Sequence, residues 1–327
     1  MATNELSTSS ESNWKEIDKI PVTSRGVFTF GDCRIELTNV EHQVWKGITK
    51  AELMEYYHSV ADLILPYLKS RPLSLHLKPY AATAPGLYIK DMEGRQPDCA
   101  DIYQTKRKHR KSGRRDIIDY LVCNNEATLL YMINLGCIDI NPWNTKIGSI
   151  DQPDYIVIDL DPSKDDFSIV VRSALAAKKV FDKLGLHSFI KTSGKTGMHL
   201  FLPCEGFGFR EARSIAENIC RKINALIPDI TTTAVSISER GDSLYLDPNQ
   251  NDETDTIASV YSVRPYKIPA VSTPLQWNEV NDDLNPADFT IDTIQQRLSK
   301  KGDLWKDLQD KEVKSKNSLV LKGLLLD

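Results

Sequence analysis

Residues 153–162, PDYIVIDLDP, constrain the chain more than any other segment. Tyr155 to Leu160 read as an apolar strand, and alternation along a strand sends Asp159 and Asp161 to one face while Ile158 and Leu160 take the other. Two carboxylates that close repel each other unless a cation sits between them. A hard divalent ion, Mg²⁺ or Mn²⁺, prefers carboxylate oxygen and water, relieves the repulsion and leaves positions for phosphate oxygens. The competing reading is structural: Asp161 precedes a Pro-Ser turn and is placed to cap the next helix.

A two-ion site needs a third carboxylate, and Asp247 ends another apolar strand, SLYLDP. Asp159, Asp161 and Asp247 are thus the candidate catalytic and metal-binding residues. Two ions roughly 3.5 to 4 Å apart would clamp the attacking and leaving oxygens of a nucleotidyl transfer. Between these strands lies TSGKTGMH at 192–199. Its GKT does not make a P-loop, because Phe189 stands where the first glycine is required and a strand, MHLFL, follows instead of a helix. What remains is a glycine turn whose amides, with Ser193 and Lys195, suit phosphate, and His199 emerges from the next strand. A plain hairpin with a surface lysine is the alternative.

A length of 327 residues, with 41% hydrophobic and 26% charged, fits one large or two modest domains. No apolar run reaches the roughly 18 residues of a membrane span and the start lacks a secretion signal, so a soluble, cytoplasmic protein without membrane contact is expected. Six cysteines without a C-x-x-C pair point to reduced thiols and not to zinc. The net charge of −4 is not that of a basic nucleic-acid binder. Charge is nevertheless concentrated locally, in Lys106, Arg107, Lys108, Arg110, Lys111, Arg114 and Arg115, a phosphate-seeking loop or a solvated turn.

Residues 1–14 read as a disordered leader, 15–150 as an N-terminal half, 151–310 as the catalytic half of the same domain, and 311–327 as a tail of unclear role. The periodicity predicts a helix from Thr49 to Lys69, capped by Thr49 and disturbed near its end by Pro66, and another closing at Gly136. A helix closing at Gly185 and a last short one in DFTIDTIQQRL follow. The class is mixed α and β.

Together these residues resemble the polymerase domain of bacterial DNA ligase D, in the archaeo-eukaryotic primase superfamily. The likeness runs through ELTN (36–39), GITKAELMEYY (47–57), RPLSL (71–75), NLGCIDINPW (134–143), PDYIVIDLDP, KTSGKTGMHLFLP (191–203), LYLDP (244–248), YSVRP (261–265) and VSTPLQW (271–277). It implies an α+β primase-like fold of two packed mixed or antiparallel sheets with flanking helices. The implied activity is nucleotidyl transfer from an NTP or dNTP onto DNA 3′ ends at gaps or double-strand breaks, with two Mn²⁺ or Mg²⁺ ions. By motif match the three aspartates hold the ions, Ser193, Lys195, His199 and Arg264 face the nucleotide, and Lys50 meets a downstream 5′-phosphate beside His42. Lys90 and the 106–115 loop lie near DNA. The family's histidine before Pro-Trp is Asn141 here, a nucleotide-site position, and its arginine and lysine beyond the third aspartate are Gln250 and Thr256. Those departures favour an alternative, a catalytically degenerate module that binds DNA ends. No K-x-D-G nucleophile occurs, so sealing requires a separate ligase, with an end-binding protein as a further expected partner.

Overall fold

The computed structural model describes residues 25–30, 33–107 and 115–325; the 1–14 leader, Lys108, Arg110, Lys111 and Arg114 lie outside the described residues. These divide into two compact units: residues up to Pro142 with Pro265–Pro269, and Trp143–Arg264 with those from Ala270 on.

The first unit runs β1 (Arg25–Phe30), β2 (Cys33–Thr38), β3 (Gln43–Trp45), β4 (Ile48–Thr49), α1 (Lys50–Ser59), α2 (Ala61–Leu68), β5 (Leu75–Leu77), β6 (Leu87–Ile89), β7 (Asp101–Lys106), β8 (Ile117–Val122) and α3 (Glu126–Asn134). Thr49 caps α1 in a reciprocal box with Glu52. The predicted single helix is two: the chain breaks at Val60 and Pro66 sits inside α2. The strands pair as four antiparallel two-stranded ladders. Single bridges join Val122 of β8 to Pro72, Leu77 of β5 to Cys137, and Leu73 to Pro142. Where a second sheet was expected the described residues hold these fragments, because Pro72, Pro79 and Pro85 flank β5 and β6 and supply no N–H to a ladder. Cys33 and Cys99 are joined as a disulfide with Cα atoms 5.4 Å apart, which corrects the expectation of six reduced thiols. Their separation of 66 residues hides the pair from any local motif.

The second unit contains β9 (Tyr155–Asp161), α4 (Phe167–Leu184), β10 (Phe189–Thr192), β11 (Met198–Pro203), α5 (Phe209–Leu226), β12 (Thr231–Thr232), α6 (Ile237–Arg240), β13 (Leu244–Asp247), β14 (Pro274–Leu275), α7 (Ile294–Lys301) and α8 (Lys311–Gly323). One six-stranded sheet, in order β12-β13-β9-β11-β10-β14, is antiparallel except for β12 with β13. Helices α4 and α5 bury Val170, Ala174, Phe181, Ile215 and Ile219 in one cluster with Ile156, Ile158 and Leu160. Each buried Val, Ile, Leu or Phe side chain among them contributes roughly 1.5 to 3 kcal/mol. That burial claims one face of β9 and leaves Asp159 and Asp161 on the other.

The segment set down as a tail is helix α8. Leu321 and Leu324 enter the same core, and Asn317 accepts from the His187 N–H and donates to the carbonyls of His187 and Pro203. The spacing of Val320, Leu321, Leu324 and Leu325, which all reach this core, was the available signal. Among the described residues no helix is long and apolar enough to cross a membrane.

Candidate functional site

The ladders of the second unit align a row of four polar residues, one per strand. Asp247 on β13 is opposite Asp159 on β9, Asp159 is opposite His199 on β11, and His199 is opposite Lys191 on β10. Directly paired residues share a face, with Cβ atoms roughly 4.5 to 5.5 Å apart. Two acids therefore stand beside two bases on the face away from α4 and α5. Asp161, two residues beyond Asp159, joins the same face.

The carboxylates are strained electrostatically. Burial, then the charges of Asp161 and Asp247, push Asp159 up to about 7. Burial raises Asp161, against the pull of Arg240 at 3.7 Å. Asp247 accepts from the Asn249 amide at 2.8 Å and its side-chain N–H at 2.7 Å. Among the described residues no three carboxylate, imidazole or thiol groups are gathered tightly enough to grip an ion. The three aspartates offer oxygen donors alone, the type a hard divalent cation prefers.

On the basic side Lys191 is fully buried, with Nζ 2.7 Å from Nδ1 of His199 and 2.5 Å from Oγ of Ser272. Burial, then the cation of Arg264, drives Lys191 well below its ordinary pKa. Burial and Lys191 do the same to His199, whose Nε2 lies 3.5 Å from Asp159. Sequence reading named His199 and passed over Lys191, the residue just before the turn that drew attention.

The turn between β10 and β11 is held by Ser193, whose Oγ accepts from the amides of Lys195 and Gly197, each at 3.1 Å. Arg264 donates from Nη1 to the Ser193 carbonyl at 3.0 Å. A Cβ at Gly197 would sit 2.2 Å from the Leu160 carbonyl oxygen, and Gly194 has φ +76°. Both glycines are therefore geometric requirements of the turn, whatever it binds. Ser193, Lys195, His199 and Arg264 belong with the three aspartates to the second unit.

The loop after Asp247 folds back on β9: Asn251 accepts from the Val157 N–H and donates to the carbonyls of Val157 and Pro248. The Gln250 carbonyl accepts from Asn144, and Thr256 bridges Trp143. Asp252 is paired with Arg213, so this acid has its own cation.

The remaining candidates lie in the first unit. Lys50 is buried at the start of α1, donating to the carbonyl and side-chain oxygens of Asn134 at 3.1 and 3.0 Å; burial, opposed by Glu41, brings it down to about 8. It lines a cavity of about 510 Å³ with His42, Lys78 and Asn134. Asn141 is buried and donates to the Asp139 carbonyl. In the basic loop, Lys106 is exposed, whereas Arg107 pairs with Asp91 at 3.0 Å and Arg115 with Asp119 at 2.9 Å. Lys90 is exposed beside Tyr88, a residue the sequence reading missed. Tyr88 is 66% exposed and stacks on His76, rings 4.4 Å apart and 7° from parallel. Only the β5–β6 register, His76 opposite Tyr88, reveals that pair.

Comparison with known proteins turns this geometry into a lineage. A family profile described as LigD, primase-polymerase domain, matches residues 49–305, most of the chain. The chain belongs to the LigD primase-polymerase domain family. The bifunctional non-homologous end joining protein LigD of Bacillus subtilis (strain 168) is 33% identical over 271 residues, 80% of this chain and 42% of that protein. The multifunctional non-homologous end joining protein LigD of Mycolicibacterium smegmatis is 26% identical over 278 residues, 83% of this chain and 35% of the relative. The chain thus spans less than half the length of these LigD proteins. Among solved structures, the polymerase domain from Mycobacterium tuberculosis Ligase D in complex with DNA has a TM-score of 0.76 at 23% identity, covering 85% of this chain and 99% of that one. That likeness establishes the LigD polymerase-domain fold, an α+β fold.

Proposed function

We propose that the chain is a nucleotidyltransferase that extends DNA 3′ ends at gaps or breaks in end joining. The observation that carries the reading is the row Asp247, Asp159, His199 and Lys191, with a glycine turn at its end, in a chain of the LigD primase-polymerase family. Asp159, Asp161 and Asp247 would hold two Mn²⁺ or Mg²⁺ ions, which would supply Lewis-acid chemistry, lowering the pKa of a primer hydroxyl and offsetting phosphate charge. Lys195 and Arg264 orient the triphosphate of an NTP or dNTP, Ser193 keeps the turn amides aimed, and His199 donates from the acid side of the row.

In the first unit the Lys50 cavity suits a 5′-phosphate, with Lys50 and Lys78 as its cations and the His42 ring beside them. Tyr88 and Lys90 offer an aromatic face beside a cation, the combination that binds single-stranded nucleic acid by stacking and charge. The Arg107 and Arg115 pairings lower what the basic loop adds, although Arg115 is itself exposed, as is Lys106. Joining would call on a ligase activity beyond this domain and on an end-binding protein.

Primer extension in manganese, with each NTP and dNTP, tests the reading. Wild type extends and Asp159→Ala does not; equal signals from the two proteins reject an enzymatic role. Gln250, Thr256 and Asn141, none of them cationic, favour a second reading, a DNA-end-binding module without synthesis. Salt-sensitive DNA binding with no incorporation by wild type selects it.

A further inference from the structure

We infer that Lys191 is a positioning residue: with Ser272 it holds His199 as the tautomer protonated on Nε2, so that the ring presents an N–H toward Asp159 and incoming phosphate. What that N–H serves rests on the polymerase reading; the tautomer itself does not.

The assignment follows from counting protons along one chain of contacts. Ser272 has a single hydroxyl proton, and it goes to the Thr192 carbonyl at 2.9 Å. At 2.5 Å from Lys191 Nζ, Ser272 Oγ therefore accepts. Lys191 Nζ and His199 Nδ1 lie 2.7 Å apart, and because the amine carries an N–H beyond the one given to Ser272, it can supply the proton of that contact and leave Nδ1 the acceptor; the Nε2 side of the ring decides between the two directions. On the other side of the ring Nε2 is 3.5 Å from Oδ1 of Asp159. A proton on Nδ1 would leave a bare nitrogen lone pair facing a carboxylate, whereas a proton on Nε2 satisfies both ends of the ring. The ladder fixes the relay in place, since Lys191 and His199 are register partners, as are His199 and Asp159.

Packing alone does not explain a lysine here. Its amine is 5.9 Å from the centre of the Phe201 ring, and its surroundings exclude water. Burying an amine there is costly in a way that a methionine of similar length avoids. The group that gains from the amine is the Nδ1 of His199, which it supplies with a donor.

The test is a long-range proton–nitrogen correlation spectrum of the full chain labelled at histidine nitrogens, with His199 assigned through His199→Gln. Wild type is expected to show Nε2 protonated and Nδ1 as a hydrogen-bonded bare nitrogen. In Lys191→Met the Nδ1 resonance moves to that of an unbonded nitrogen, and in Lys191→Gln, whose amide donor is a bond shorter, it moves back part of the way. In primer extension Lys191→Met raises KM for the nucleotide about tenfold with kcat within about twofold, and Lys191→Gln recovers part of the KM. A protonated Nδ1 in wild type, or an Nδ1 resonance unchanged by Lys191→Met, overturns the inference. If Lys191→Met does not fold, the wild-type tautomer and Lys191→Gln decide. Absence of extension by wild type, with the spectra as expected, rejects the polymerase reading and leaves the tautomer assignment standing.

Discussion

The acid row of the second unit and the Lys50 cavity of the first hold charge by different means. In the row, each side chain is placed by a ladder, so spacing is set by backbone hydrogen bonds four strands deep. In the cavity, placement runs through one side chain. Asn134 accepts from Lys50 and from the Thr38 N–H and donates to the Glu36 carbonyl, joining α3, α1 and β2. A ladder gives precision but transmits any backbone displacement along its length; a side-chain clasp confines the damage. The two regions should therefore respond differently to the same small insult.

Adding one methyl group to a glycine in each region is the sharpest way to break the comparison. At Gly197 the new Cβ meets the Leu160 carbonyl at 2.2 Å, and Leu160 is the register partner of Met198. Gly197→Ala must part β9 from β11 beside Asp159 and His199. We expect a loss of about 3 kcal/mol in urea unfolding, at the upper end of overpacking costs, together with loss of nucleotide binding. Gly136 has φ +91° but its Cβ would find nothing closer than 3.5 Å. Gly136→Ala should cost only the left-handed conformation, roughly 1 to 2 kcal/mol, with the row intact. Equal losses at the two positions would show that the ladder confers no special sensitivity.

The same contrast governs what could be read from the sequence. Strands of the second unit announce themselves because they are apolar runs ending in charge, and their alternation puts Asp159 and Asp161 on one face before any coordinates exist. Pairing partners are invisible, so the row through Lys191 emerged only with the register. Gly185 was readable as a helix end because its left-handed φ of +74° needs glycine. The break at Val60 was not, because no glycine or proline marks it. In the first unit Tyr88 on His76 and Cys33 with Cys99 are contacts between segments with no shared local pattern. The role of 311–323 was missed because its apolar spacing is short and follows a charged stretch.

The clasp around Lys50 can be sharpened by pH. Burial lowers its folded pKa to about 8 from 10.5, so between those values the unfolded chain binds a proton that the folded chain does not. Stability contributed by this group therefore rises as pH climbs from 8 to 10.5, and below 8 the charged amine is a constant penalty. Lys50→Met removes the penalty and the titration together. Its stability relative to wild type should fall by roughly 2 kcal/mol between pH 7.5 and 10.5, after allowance for solvent screening, since tyrosines and cysteines titrate in both proteins and cancel. A difference that stays flat across that interval would mean that Lys50 is as well solvated as a surface lysine, and the cavity would lose its buried cation.

A small effect is expected at Glu279, which belongs neither to the row nor to the lining of the Lys50 cavity, and it supplies the baseline for the comparison. Burial pushes this carboxyl up, but hydrogen bonds from Arg297, at 2.7 and 2.8 Å, from the Gln276 N–H and from Lys301 outweigh it and hold it at about 2. A depressed carboxyl stabilises the fold above its unfolded value of 4.5, and the contribution disappears as pH falls through 2. Glu279→Gln should cost about 1 to 2 kcal/mol at pH 7, because the partners stay partly wet, and progressively less from pH 4.5 downward. Urea midpoints for both proteins at pH 7, 4 and 2.5 measure the trend. Because this carboxylate is clasped by opposite charge while Asp159 is crowded by like charge, Asp159→Asn should stabilise the protein where Glu279→Gln destabilises it. The same sign for both would remove the repulsion on which the metal-binding argument for the row depends.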